Sequence, residues 1–230
     1  MERTYLNDLF DFLKDRLDML TSDEVDQLHW RYEDDYYDEC EIEGWHKDIV
    51  DKLGCTRYAL GCSKIVLFFD EYPDVVVKIP FDGVRSVDSE KDFEVTNERN
   101  FIHDYCADEL DIWYEAVNAN IEEVFAEEAF VGMYHDLSLY AAERCNMDYR
   151  YADEVSEPSE DSKEKAKKII KGVYSEVNEY IPTIIEQHGE EFAEKVFKFI
   201  EEFDINDLHD GNVGFKCGLF KFVDYSSYDD

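Results

Sequence analysis

The chain has 230 residues, 44% of them hydrophobic and 15% aromatic, which is enough apolar mass to build a core and excludes a disordered polypeptide. Against 58 acidic residues stand 23 basic ones, giving a formal net charge of −35. Such a surface repels phosphate backbones over about a Debye length, so direct nucleic-acid binding is excluded and basic protein partners are favoured.

The start, MERTYLNDLFDFL, lacks the basic end and apolar core of a signal peptide, and no run of about twenty apolar residues follows anywhere, so neither secretion nor a membrane association is expected and the location is read as cytoplasmic. Within residues 4–20, Leu6, Leu9, Phe10, Leu13, Leu17 and Leu20 recur at helical spacing and predict an amphipathic helix whose apolar face must cover another element. Between Asp23 and Glu43 lie ten acidic residues and one arginine, interleaved with Trp30, Tyr32, Tyr36 and Tyr37. This stretch reads as a solvated acidic face or, more sharply, as a decoy that imitates nucleic acid. The six cysteines are scattered with no CxxC pair, the pattern of reduced thiols rather than disulfides or a zinc site.

Residues 57–81 predict a β-hairpin whose turn is supplied by Asp70, Pro73 and Asp74. A helix is predicted over about 97–118, short strands over 124–145 separated by HDLS, and a polar loop over 152–165 that is rich in Ser and Glu. Two helices follow, over roughly 164–187 and 189–203, the second with Phe192, Val196, Phe199 and Phe203 on one face. The chain then runs through INDLHDGNVGF, residues 205–215, into two short strands, VGFK and FKFVDYS, joined at Gly218.

That last stretch carries the chemistry. Asp207 stands five positions before Asn212, and Asp224 follows twelve residues later at the end of an apolar strand. A carboxylate and an amide oxygen from one loop, with a second carboxylate from the neighbouring hairpin, form a hard oxygen set suited to magnesium carrying phosphates.

On DLHDGN and VDYS the chain resembles the protein-kinase-like superfamily, nearest its aminoglycoside and choline kinase-like branch, where the catalytic loop commonly reads D-L-H-x-x-N and the metal-binding aspartate follows as V-D-[YFW]. The resemblance covers roughly residues 57–230. It implies a two-lobed α+β fold: an acidic helical N-terminal segment over 1–56, a small antiparallel-sheet N-lobe over 57–145, and a minimal helical C-lobe over 146–230. It implies that Asp207 orients or deprotonates a substrate hydroxyl, while Asn212 and Asp224 hold Mg²⁺ across the phosphates of ATP. Lys78 in VVVKI matches the V-A-I-K pattern of the phosphate-holding lysine. Glu109, in preference to Glu98, is the glutamate that the next helix would offer it. Gly61, Ser63 and Lys64 stand where a nucleotide loop would be, with one glycine in place of several, and Glu143 and Cys145 stand at the adenine-contacting hinge. Ile205 replaces the histidine that usually lies two residues before the catalytic aspartate, and only six residues follow Asp224, so a truncated substrate lobe is expected.

Two functions follow as expectations. The first is a kinase-like protein that binds ATP and Mg²⁺ and transfers phosphate to a protein or small-molecule hydroxyl. The second is a weakly active or inactive kinase-fold binding protein whose acidic surface mimics nucleic acid and inhibits a basic or nucleic-acid-binding partner, a character that would suit a phage protein directed against host defence.

Overall fold

The computed structural model describes residues 1–33, 39–61, 63–87, 93–97, 104–147, 157–170, 176–206 and 208–225, with residues 31–33, 39–45, 83–87, 93–97 and 176 described by backbone alone. It is a mixed α+β protein that divides into two compact units, Met1–Ala107 with Glu128–Ala142, and Asp108–Glu127 with Glu143–Asp230. Among the described residues no helix is long and apolar enough to cross a membrane. Cys55, Cys106, Cys145 and Cys217 are free thiols.

The first unit opens with helices α1 (Arg3–Leu17) and α2 (Ser22–Gln27), strand β1 (Trp30–Glu33) and helix α3 (Glu39–Leu53). Helix α2 starts on a capping box: Thr21 Oγ1 accepts the Glu24 N–H, and the Glu24 carboxylate accepts the Thr21 N–H at 2.9 Å. Strands β2 (Arg57–Leu60), β3 (Lys64–Phe68), β4 (Val75–Pro80), β7 (Glu128–Tyr134) and β8 (Leu137–Glu143) form an antiparallel sheet of order β2-β3-β4-β8-β7. Strand β1 pairs in parallel with β5 (Gly83–Val87), which pairs with β6 (Phe93–Asn97) in a second, three-stranded sheet.

Alternation gives the larger sheet two unlike faces. Ile65 and Leu67 of β3, Val75, Val77 and Ile79 of β4, and Leu137 and Leu139 of β8 are buried in one core with Leu9, Leu13 and Leu17 of α1 and Ile49, Val50 and Leu53 of α3. The apolar stripe of α1 therefore covers this sheet, which resolves what its face was for. Phe12 adds edge-on ring contact to Phe69 at 5.2 Å. The opposite face mixes apolar residues such as Val66 with the charged Lys64 and Lys78.

Several elements differ from the sequence expectation. The first run of the expected hairpin is broken into two strands, because Gly61 N–H donates to the Lys64 carbonyl at 2.9 Å and closes a tight turn between β2 and β3. The helix expected from 97 begins instead at Tyr105, as α4 (Tyr105–Ala119). Phe93–Asn97, with its β-branched Val95 and Thr96, is a strand, and Asp104 starts the helix by accepting the Cys106 and Ala107 N–H groups at 3.1 Å each.

The second unit contains most of α4 together with α5 (Glu160–Ile170), α6 (Ile181–His188), α7 (Glu190–Glu202) and the hairpin of β9 (Val213–Lys216) and β10 (Leu219–Phe222). The stretch expected as one helix over 164–187 is α5, a single 3₁₀ turn at Glu176–Glu179 and α6, whose first turn carries Pro182 where its missing N–H costs nothing. Ile184, Ile185, Val196, Phe199 and Ile200 enclose Phe125, Phe222 and Tyr225, and Tyr225 Oη donates to the Ala126 carbonyl at 2.8 Å.

Candidate functional site

Each unit carries one part of the expected constellation. In the first, antiparallel partners on β3 and β4 fix which side chains share a face: Lys64 stands opposite Pro80, and Val66 opposite Lys78. Lys64, Val66, Val76 and Lys78 are thus on the face turned away from α1. Strands β8 and β7 contribute Tyr140 and Glu128 to that same face, since Glu128 pairs with Ala142 and Phe130 with Tyr140. A lysine on the interior strand of a sheet is not an edge residue, and Lys78 is 4% exposed.

Lys78 Nζ makes a buried hydrogen-bonded ion pair with the carboxylate of Glu128, which is 2% exposed. A buried ammonium needs such a partner to stay charged. Glu128 was not anticipated from the sequence. Its signal was an acid at an alternating position in AEEAFVGM, facing the same way as Phe130. Glu109 lies in the second turn of α4 and is fully buried.

Around this pair the face is built from anchored groups. Tyr140 Oη donates to Asp104, whose other oxygen caps α4. Burial, and then the hydrogen bond to Asp104, push the Tyr140 hydroxyl well above its ordinary pKa, so it remains a donor. Ser63 and Lys64 follow the Gly61 turn and are both buried, and the Gly61 N–H is used inside that turn. Glu98 lies outside the described residues.

In the second unit the loop before β9 is pinned at both sides. Ile205 and Leu208 are buried in the core, while Asp207 between them lies outside the described residues. His209 Nδ1 accepts the Gly211 N–H at 2.9 Å, its carbonyl accepts the Asn212 N–H at 2.9 Å, and Tyr180 Oη donates to Asp210 at 2.9 Å. The Asn212 carbonyl accepts N–H groups from Val223 at 2.9 Å and Asp224 at 3.4 Å. The pairing of Val213 with Phe222 zips the hairpin shut, so Asn212 and Asp224 meet at its open end although twelve residues separate them. These contacts bring the main chains of Asn212 and Asp224 together at neighbouring strand ends. Among the described residues no group of three or more His, Cys, Asp or Glu side chains is arranged to hold a metal.

No protein-family model, curated protein or solved structure matches this chain.

The segment expected as a hinge lies against the same hairpin. Asn146 and Phe215 exchange backbone hydrogen bonds at 2.8 and 2.9 Å, and Glu143 forms an ion pair with Lys221 at 3.3 Å. Lys216 Nζ donates to the Arg144 carbonyl at 3.3 Å. Gly214 permits this close approach, because a Cβ there would stand 3.0 Å from Cys145 Cβ and 3.1 Å from the Asn146 carbonyl. Asn146 therefore bridges to β9 at Phe215, with Cys145 close against Gly214.

Proposed function

We propose that this chain is a two-lobed, kinase-like nucleotide-binding protein that holds ATP with Mg²⁺ and passes a phosphoryl group to a hydroxyl. The observation that carries the reading is the meeting of Asn212 and Asp224, through the Asn212 carbonyl, at the open end of the β9–β10 hairpin. The buried Lys78–Glu128 pair on a face otherwise free to be apolar supports it independently, since apolar residues of similar volume are often as stable there.

In this reading Asn212 and Asp224 would hold the metal, which supplies neutralisation of phosphate charge when bound. Lys78, kept as an ammonium by Glu128, binds phosphate oxygens, and Asp207 orients the acceptor hydroxyl and takes up its proton. Glu143 to Cys145, fixed against β9, offer backbone groups to the base.

Thermal unfolding with ATP and Mg²⁺ tests the binding part. Ligand at a hundred times its dissociation constant adds about 2.7 kcal/mol, hence roughly 5–10 °C for a chain of this size. Asp224→Asn is expected to remove the Mg²⁺-dependent portion of that shift. Labelled ATP then tests transfer: equal label or hydrolysis from wild type and Asp207→Ala excludes phosphotransfer.

A second reading, a binding protein whose acidic surface occupies a basic partner, is favoured by Asp8, Asp11 and Asp15, which are all exposed on the outer side of α1. Capture of a basic protein at low salt that is lost above about 0.5 M salt is its expected outcome, and no capture at either salt counts against it.

A further inference from the structure

The loop that ends at Asn212 is tied down by a tyrosine from a different element. We propose that Tyr180 is a positioning residue for this loop: its ring docks on β10 and its hydroxyl holds Asp210, so one side chain sets residues 208–212 against the strand that leads to Asp224. The inference rests on the nucleotide reading, in which this loop and Asp224 serve the phosphates of the ligand.

Three observations lead to it. The Tyr180 backbone is fixed from both sides where the 3₁₀ turn at Glu176–Glu179 meets α6, its N–H donating to the Val177 carbonyl and its carbonyl accepting the Ile184 N–H, each at 3.0 Å. Its ring stacks on Phe220 at 5.2 Å with planes 27° apart and meets Phe222 nearly edge-on at 6.1 Å. Phe220 and Phe222 lie two residues apart on β10, are both buried, and present one rigid face, with Phe222 two residues before Asp224. Tyr180 Oη then donates at 2.9 Å to Asp210, the first residue of the 3₁₀ turn Asp210–Asn212. That turn has little slack of its own: His209 Nδ1 accepts the Gly211 N–H at 2.9 Å, and a Cβ on Gly211 would stand 2.7 Å from His209 Cε1. Phenylalanine would serve the stacking equally well, and a hydrogen bond between exposed groups adds little to folding because water competes for both partners. What the hydroxyl adds is geometry. Misplacing a reacting group by about 1 Å costs on the order of a hundredfold in rate, so a tether on this loop matters more to chemistry than to stability.

The test compares, in the full chain, Tyr180→Phe, which removes only the hydroxyl, with Asp210→Ala and with Asp210→Asn, which keeps an oxygen to accept the phenol. Amide exchange in the ligand-free protein is expected to quicken by about three- to tenfold at Gly211 and Asn212 in Tyr180→Phe, the loss of one hydrogen bond, while the β10 amides stay unchanged. In turnover of labelled ATP with Mg²⁺, kcat is expected to fall by about tenfold or more while KM for ATP changes less than about threefold. Asp210→Ala should reproduce both effects, Asp210→Asn should stay within about twofold of wild type, and the double variant Tyr180→Phe with Asp210→Ala should lose no more than either single one. Tyr180→Phe leaving either readout unchanged, a loss carried by KM, an Asp210→Asn that behaves as Asp210→Ala, a double variant that sums the single losses, or exchange that quickens equally along β10 overturns the assignment of Tyr180 and leaves the nucleotide reading standing. A wild-type chain that neither binds nor turns over ATP overturns the nucleotide reading and, with it, the role given to Tyr180.

Discussion

Replacing Lys78 with methionine keeps most of the side-chain volume and removes the ammonium that pairs with the Glu128 carboxylate, whose side chain is 0% exposed. Breaking a buried pair from one side costs about 3–5 kcal/mol, because the remaining charge stays desolvated or must take up a proton. For a chain of this length each kcal/mol lowers the melting temperature by roughly 2–4 °C, so Lys78→Met is expected to melt roughly 6–20 °C lower. Glu128→Leu should cost a similar amount by removing the carboxylate that pairs with the buried ammonium. The double variant removes both charges together and is expected to recover most of the loss, with an interaction energy of at least about 2 kcal/mol in a double-mutant cycle read from urea unfolding. On the proposed reading, in which Lys78 holds phosphate, the same double variant should not recover ATP binding; that separates the pair's structural part from its proposed functional part. Single losses under about 1 kcal/mol, or a double variant that simply sums them, would show that the two groups are not coupled as the geometry requires.

His46, buried on α3 beside Phe81, has its pKa lowered from 6.5 to about 4 by burial. Because the unfolded chain binds the proton first, this contribution is complete above pH 6.5 and is lost as pH falls from there towards 4, amounting to about 3 kcal/mol at most; urea melts across that window should show it, and His46→Phe should flatten that part of the profile. Gly214→Ala forces a methyl group against Cys145 and the Asn146 carbonyl, and is expected to cost about 1–3 kcal/mol in equilibrium unfolding, whereas an unchanged midpoint would mean that the 143–147 segment gives way freely. Asp104→Ala removes both the α4 cap and the acceptor for Tyr140, for about 1–3 kcal/mol by the same assay. Adding Tyr140→Phe in that background should return part of it, since the buried hydroxyl no longer lacks its acceptor.

Much of the local structure was legible because short-range periodicity and turn chemistry control it. The leucine spacing of α1, the apolar alternation of β3 and β4, and the β9–β10 hairpin around Gly218 all stand where the residues place them. The strands β1, β5 and β6 were not legible. Strand β1 pairs in parallel with β5 some fifty residues away, and nothing within four- or five-residue runs such as WRYE or GVRSV announces a partner that far away. The start of α4 was misjudged because Asp104, whose carboxylate accepts the Cys106 and Ala107 N–H groups, is in sequence one acid among many in a helical run, and only its hydrogen bonds mark it as the cap.

The candidate site divides along the same line. Residue identity alone determined that oxygen-bearing side chains at 212 and 224 and a lysine at 78 are present, and composition alone determined the net charge of −35. Tertiary structure decided which groups meet. It joined Asn212 to Asp224 through one carbonyl, placed Lys64 on the face of Lys78, and supplied Glu128 from a strand fifty residues downstream. The physical reason is that a carboxylate's value to a buried lysine depends on the distance and dielectric between them, which sheet order and register fix and sequence spacing does not.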